Sequence, residues 1–161
     1  MAPKAPIDVH TGLEAARLGV YVHFPYCLSK CPYCDFASTA AKQIPDARYT
    51  RAIVTELDRR LEAHGLRGRE VSSIFIGGGT PSLWAPRSGA QVLEAIARNL
   101  KVAEGCEVSL EANPGAADAE RFGDYRAAGV NRLSMGVQSF EASTLSTLGR
   151  ASEDGARGET I

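Results

Sequence analysis

The chain predicts an α/β fold built on a parallel sheet, and three observations carry that prediction. Short apolar stretches alternate with helix-period segments in four successive strand, loop, helix units. Helical segments of this length between strands favour parallel pairing through right-handed crossovers. The chemistry-bearing residues then collect just past the carboxyl ends of the strands, as they do in a parallel barrel. About four βα units can be counted, and this pattern alone is compatible with either a barrel or an open sheet.

Residues 1–17, which include Pro3, Pro6, Asp8 and Glu14, read as a polar lead-in. The first strand is expected from Leu18 to His23 and its helix from Asp46 to Ala63. In that helix Tyr49, Ile53, Leu57 and Leu61 recur every fourth position and make one apolar face, with Asp46 as the expected N-cap. The second strand, Val71 to Ile76, runs into Gly77, Gly78, Gly79, Thr80 and Pro81. Its helix starts near Pro86 and lines up Leu93, Ile96, Ala97 and Leu100. The third strand, Glu107 to Ala112, stops at the turn signal Asn113-Pro114-Gly115. The helix after it passes through Phe122 and Tyr125 and ends at Gly129 in a left-handed cap. The fourth strand spans Val130 to Val137, followed by a helix from Phe140 to Leu148.

Composition narrows the function classes. A formal net charge of -1 with scattered Lys and Arg gives no basic patch dense enough for nucleic acid or an anionic membrane surface. No window approaches the ~18 apolar residues of a membrane span, so a cytoplasmic location is expected. Three of the four cysteines cluster and Cys106 lies far away, which suits a cofactor site in a reducing compartment better than a disulfide framework.

The cluster is the strongest chemical signal. Cys27, Cys31 and Cys34 form a Cys-x3-Cys-x2-Cys run on one loop after the first strand. Thiolates are the ligands of iron–sulfur clusters, and three of them on a cubane leave one iron for an exchangeable ligand. A structural zinc site is the bland alternative, but it wants four ligands and only three are local. Alternation along the third strand sends Cys106 toward the helix layer if Glu111 points inward, so a plain buried thiol is expected there. The glycine run lets backbone amides approach a charged ligand, although alone it would read as a strand-to-loop turn. Glu111 ends an apolar strand and needs hydrogen-bond donors, which a ligand hydroxyl or a nearby Arg could supply. His23 is read as support for the loop rather than a ligand. His10 and His64 carry no signal.

Residues 20–36 (VYVHFPYCLSKCPYCDF), together with IFIGGGTPS at 74–82, LEANP at 110–114 and RLSMGVQSF at 132–140, resemble the radical S-adenosylmethionine superfamily. Within it they are similar to the family of oxygen-independent coproporphyrinogen III oxidases and haem chaperones, over residues 18–150. The resemblance implies a partial, TIM-like barrel of about four βα units that does not close on itself, and a [4Fe-4S] cluster on Cys27, Cys31 and Cys34. S-adenosyl-L-methionine would chelate its fourth iron and undergo reductive C–S cleavage. It also implies cofactor contacts by Tyr21, Tyr33, Gly78, Gly79, Thr80, Glu111, Gln138 and Arg150. Gln138 and Arg150 also read as ordinary rim residues, and the two tyrosines as water shields.

The oxidase branch has a further cysteine at the position of Phe36, whereas Asp35-Phe36 and the short lead before Cys27 match the HemW-like chaperone branch. The implied function is therefore haem binding and transfer, with a haem or porphyrin, a haem-acceptor protein and an electron donor as partners. Oxidative decarboxylation of coproporphyrinogen III is the alternative. Residues 151–161 read as a divergent polar tail where the family continues into further βα units and another domain. A truncated member, including a non-functional remnant with haem binding lost, is an expectation on that ground.

Overall fold

The computed structural model describes residues 17–114 and 116–149. In chain order the elements are β1 (Leu18–Phe24), β2 (Tyr26–Cys27), β3 (Thr39–Ala40), α1 (Asp46–Ala63), β4 (Glu70–Gly78), a 3-10 turn (Pro81–Leu83), α2 (Pro86–Asn99), β5 (Lys101–Ala112), α3 (Ala116–Ala127), β6 (Arg132–Met135) and α4 (Ala142–Thr147). The main sheet has the order β1-β4-β5-β6, and every pairing in it is parallel. This is the expected α/β architecture, with the barrel left open.

Alternation along the strands divides the sheet into two faces. Val22 and Phe24 of β1, Ile74 and Ile76 of β4, and Val108 and Leu110 of β5 are buried and pack with Leu61 of α1 and Val92, Leu93 and Ile96 of α2 in one apolar core. The opposite face is polar. One row across it pairs Tyr21 with Phe75, Phe75 with Ser109, and Ser109 with Arg132. Tyr21 stacks on Phe75 at 6.2 Å between ring centroids, and the Ser109 hydroxyl accepts from Arg132 at 3.1 Å and donates to Glu107 at 2.8 Å.

An aromatic cluster sits where β1 ends. Phe24, Trp84 and Tyr49 have centroids 5.3–5.9 Å apart, and Tyr26 packs on Phe24 and Tyr49. Each such pair adds roughly 0.5–1.5 kcal/mol beyond its area, so the point where the chain leaves the sheet for Cys27 is among its firmest.

Four expectations are corrected. Asp46 is the first residue of α1 rather than its N-cap, which is Pro45. The Asp46 carboxylate instead accepts from the Ala85 N–H at 3.1 Å and so caps the start of α2. Ala97 is exposed, and Val92 and Ala95 take the place expected for it on the buried stripe of α2. The strand expected from Glu107 begins at Lys101, because Lys101 and Val102 pair with β4 before extra residues bulge out around Gly105 at φ +73°. The fourth strand is confined to Arg132–Met135 and its helix to Ala142–Thr147. Gly129 does take the left-handed conformation after α3, at φ +109°.

Candidate functional site

The cysteine loop leaves β1 through Pro25 and Tyr26 and is tied at its base by β2 and β3. Thr39 N–H donates to Pro25 O at 2.7 Å and Ala41 N–H to Cys27 O at 2.9 Å. Within the loop Cys34 N–H donates to Cys31 O at 3.0 Å, which places the last two thiols on one tight turn. Cys27 is buried, Cys31 and Cys34 are half-buried, and none is in a disulfide. Among the described residues no three His, Cys, Asp or Glu side chains already stand together as a metal-holding group. The donor set nevertheless suits a soft metal cluster, being three thiols on one short loop.

The glycine loop at the end of β4 is locked against this segment. Gly79 N–H donates to Phe24 O at 2.6 Å and Thr80 N–H to Tyr26 O at 2.9 Å. A Cβ on Gly79 would lie 2.6 Å from Tyr26 O and 3.0 Å from Cys27 Sγ. The absence of that carbon is what lets the two loops meet. Gly78 adopts φ +124°, and a Cβ there would meet the His23 ring and Phe24 O at 2.7 Å. From behind, the Tyr125 hydroxyl donates to Pro81 O at 3.2 Å and also to Trp84 O. Arg121 donates to Ser82 O and Leu83 O. Helix α3 thus holds the turn that follows the glycines.

Glu111 stands on the polar face near the end of β5, and its Oε2 accepts from the Gly78 N–H at 2.8 Å. This backbone donor, rather than an arginine, is its partner among the described residues. Tyr21 is exposed on the same face, and its phenol is held above the ordinary value first by partial burial and then by the Glu111 carboxylate. Thr80 is buried, and its hydroxyl lies 3.5 Å from Asn113 Nδ2. Gln138, just past β6, is exposed and holds φ +66°, a left-handed backbone unusual for a residue with a side chain. Tyr33 is exposed on the cysteine loop. Gly149 approaches Pro32 of that loop, with a built Cβ 3.2 Å from the proline ring. Arg150 lies outside the described residues.

Cys106 is in the apolar core, as alternation predicts, and burial first and Glu107 second push its thiol up. Gly77 and Asn113 take part as well, although neither is among the expected cofactor contacts. A Cβ on Gly77 would press on Phe75 and come 3.0 Å from Glu111 Oε2. Asn113, expected from the sequence only in a turn, reaches the Thr80 hydroxyl.

A parallel, barrel-like sheet carrying a thiol loop, a glycine loop and a carboxylate at the carboxyl ends of successive strands defines a cofactor-dependent α/β protein of the iron–sulfur kind. The family model for the Radical SAM superfamily matches residues 21–155, and the chain belongs to that superfamily. Membership implies S-adenosylmethionine and an iron–sulfur cluster as cofactors.

Over 134 residues the chain is 46% identical to the heme chaperone HemW of Escherichia coli (strain K12), covering 83% of this chain and 35% of that protein. It is 44% identical to the mitochondrial radical S-adenosyl methionine domain-containing protein 1 of Bos taurus, covering 83% of this chain and 30% of that one. The chain thus spans about a third of the length of these relatives. The structure of the Escherichia coli coproporphyrinogen III oxidase HemN, described as a radical SAM enzyme, superposes with a TM-score of 0.76 at 29% identity, over 85% of this chain and 31% of that one. No helix among the described residues is long and apolar enough to cross a membrane.

Proposed function

We propose that this chain is the cofactor-binding part of a HemW-like haem chaperone. Cys27, Cys31 and Cys34 ligate three irons of a [4Fe-4S] cluster, and Tyr21, Tyr33, Gly78, Gly79, Thr80, Glu111, Gln138 and Arg150 receive S-adenosylmethionine. The observation that carries this reading is the seating of the glycine loop on the cysteine loop, with a Gly79 Cβ excluded by Cys27 Sγ at 3.0 Å and Tyr26 O at 2.6 Å. Two loops from different βα units are thereby held in register with one another.

A bound iron–sulfur cluster would supply the reducing electron for S-adenosylmethionine. The chain's own residues do the rest. Glu111 is aimed by the Gly78 amide, which occupies Oε2 and leaves the other oxygen for a ligand hydroxyl. Gly78 and Gly79 bring backbone groups where side chains could not go. The aromatic cluster of Phe24, Trp84 and Tyr49 fixes the end of β1 from which the cysteine loop departs.

Haem transfer, rather than catalysis on a porphyrin, is supported by the chaperone names of the relatives and by Phe36 standing where the oxidase family has a further cysteine. The likeness to HemN favours the second reading, oxidative decarboxylation of coproporphyrinogen III. A haem or porphyrin, a haem-accepting protein and an electron donor are the proposed partners, in the cytoplasm.

The test is anaerobic reconstitution with iron and sulfide, metal analysis, and EPR of the reduced sample with and without S-adenosylmethionine. An iron–sulfur signal altered by the cosubstrate supports the site, while zinc uptake or an indifferent spectrum overturns it. A haem Soret shift without turnover favours the chaperone, and release of CO2 from coproporphyrinogen III favours the oxidase.

A further inference from the structure

His23 makes two contacts that determine where its proton sits. It is half-buried on the polar face of β1, two residues after Tyr21 and four before Cys27. Its Nε2 lies 2.7 Å from the carbonyl oxygen of Ala37, and its Nδ1 lies 2.9 Å from the Tyr21 hydroxyl. A carbonyl oxygen only accepts, so Nε2 must carry the hydrogen. In the neutral imidazole Nδ1 then offers a lone pair, and the Tyr21 O–H is the donor to it.

We propose that His23 is a positioning residue with two tasks. It clamps the far end of the cysteine loop to β1 through Ala37, and its Nδ1 accepts the hydrogen bond of the Tyr21 O–H, so that the phenol oxygen is left as a hydrogen-bond acceptor on the open face of the sheet. An acceptor phenol welcomes an ammonium or hydroxyl group of a ligand and repels a carboxylate. This second task rests on the reading of Tyr21 as a cofactor contact. The clamp does not.

The surroundings are built to hold the ring. Gly78 at φ +124° gives up the space a Cβ would need, 2.7 Å from the ring Cε1 and 2.8 Å from Nδ1. From the helix side the Tyr49 hydroxyl of α1 donates to the His23 carbonyl, which anchors the backbone under the ring. The loop bearing the three thiols is tied at its base by backbone bonds to Pro25 and Cys27. The His23 to Ala37 bond adds a side-chain tie three residues beyond Cys34, bridging 14 positions of chain.

The first test needs no substitution and no metal. Nitrogen NMR of the metal-free chain, with His23 assigned by the loss of its signals in His23→Asn, should show hydrogen on Nε2 and a bare Nδ1. A hydrogen on Nδ1 overturns the proposal.

Hydrogen exchange of residues 28–38 in the metal-free chain tests the clamp. His23→Phe, which keeps the ring shape, should exchange about five to ten times faster there, the loss of roughly one hydrogen bond. His23→Gln, whose amide reaches toward Ala37, should restore slow exchange, and His23→Asn should not. Equal exchange in all four proteins refutes the clamp.

In the reconstituted protein His23→Gln and Tyr21→Phe should weaken S-adenosylmethionine binding to a similar degree. If affinity is unchanged while the NMR and exchange results stand, the acceptor role and the cofactor reading of Tyr21 fall together and the clamp remains.

Discussion

Replacing Gly79 by alanine adds one carbon at the most crowded point between the two loops. That carbon would stand 2.6 Å from Tyr26 O, 2.9 Å from Tyr26 C and 3.0 Å from Cys27 Sγ. Two of these are backbone atoms in a segment pinned by the β2 and β3 pairing, so they cannot swing aside as the tip of a flexible side chain would. Relief by separating the loops breaks the Gly79 to Phe24 and Thr80 to Tyr26 hydrogen bonds, about 2 kcal/mol in all. Bearing the overlap in place costs about 1–3 kcal/mol. Either route arrives near 2 kcal/mol, a fall in Tm of roughly 4–8 °C for a chain of this size. Iron uptake should fall with it, because Cys27 Sγ is the third atom displaced. Gly123→Ala is the control, since that α3 position has nothing within 4 Å of a built Cβ, and there alanine should stabilise by about 0.5–1 kcal/mol. Thermal melts followed by circular dichroism compare the two. Were the variants to melt alike, the contact between the loops would not be what that glycine serves.

Three further outcomes follow from the same structure. Burial first, and then Tyr26 and Tyr21, push the Tyr49 phenol up to about 12 from an ordinary 10.0. Between those values the unfolded chain has already lost a proton that the folded chain keeps. Stability contributed by Tyr49 is therefore complete below pH 10 and lost as pH rises toward 12. Urea melts across that window should flatten in Tyr49→Phe, and an unchanged slope would show that another group titrates. Glu111→Gln keeps an acceptor for the Gly78 amide but removes the charge that, after burial, raises the Tyr21 phenol. Its melt should stay within about 0.5 kcal/mol of the parent, while an ultraviolet titration should find a tyrosine moved downward and calorimetry should find weaker S-adenosylmethionine binding. Cys106→Ala should leave reconstituted iron unchanged and lower stability by about 1 kcal/mol, the cost of a small core vacancy. Iron analysis that falls by a quarter or more would instead make Cys106 a ligand.

Periodicity made most of the fold legible. The fourfold recurrence of Tyr49, Ile53, Leu57 and Leu61 marks α1, and the observed helix is Asp46–Ala63 as read. Strands of period two separated by such helices imply the parallel sheet, which the pairing of β1, β4, β5 and β6 bears out. What sequence could not show are relations between residues far apart in the chain. Nothing local says that the Asp46 carboxylate would cap α2, 39 positions on, instead of its own helix. The same holds for Tyr125 and Arg121 bracing the turn after the glycines. Ala95 and Ala97 are identical side chains, and only the rotation of α2 against the sheet decides which is buried. The thiol loop was recognisable because its spacing is short range. The fit of Gly79 onto Cys27 was not, because it joins two loops from different βα units.

The two faces of the sheet explain how a site of this kind can be firm without being apolar. On β1 the side chains alternate between Val22 and Phe24, which are buried in the core, and Tyr21 and His23, which face the open side. A one-residue slip would exchange the two sets, exposing Phe24 and burying an imidazole and a phenol without partners, so the apolar face enforces the register of the polar one. The aromatic cluster of Phe24, Trp84 and Tyr49 supplies that constraint directly beneath the cysteine loop. Substitutions at core positions such as Phe24→Ala should then cost about 3–5 kcal/mol and lose iron only as the fold is lost. Changes on the polar face, such as Tyr21→Phe, should alter cofactor affinity at nearly constant Tm. Melting and binding measured on the same preparations separate the two cases. If Tyr21→Phe proved as destabilising as Phe24→Ala, the polar face would be part of the packing and the division drawn here would fail.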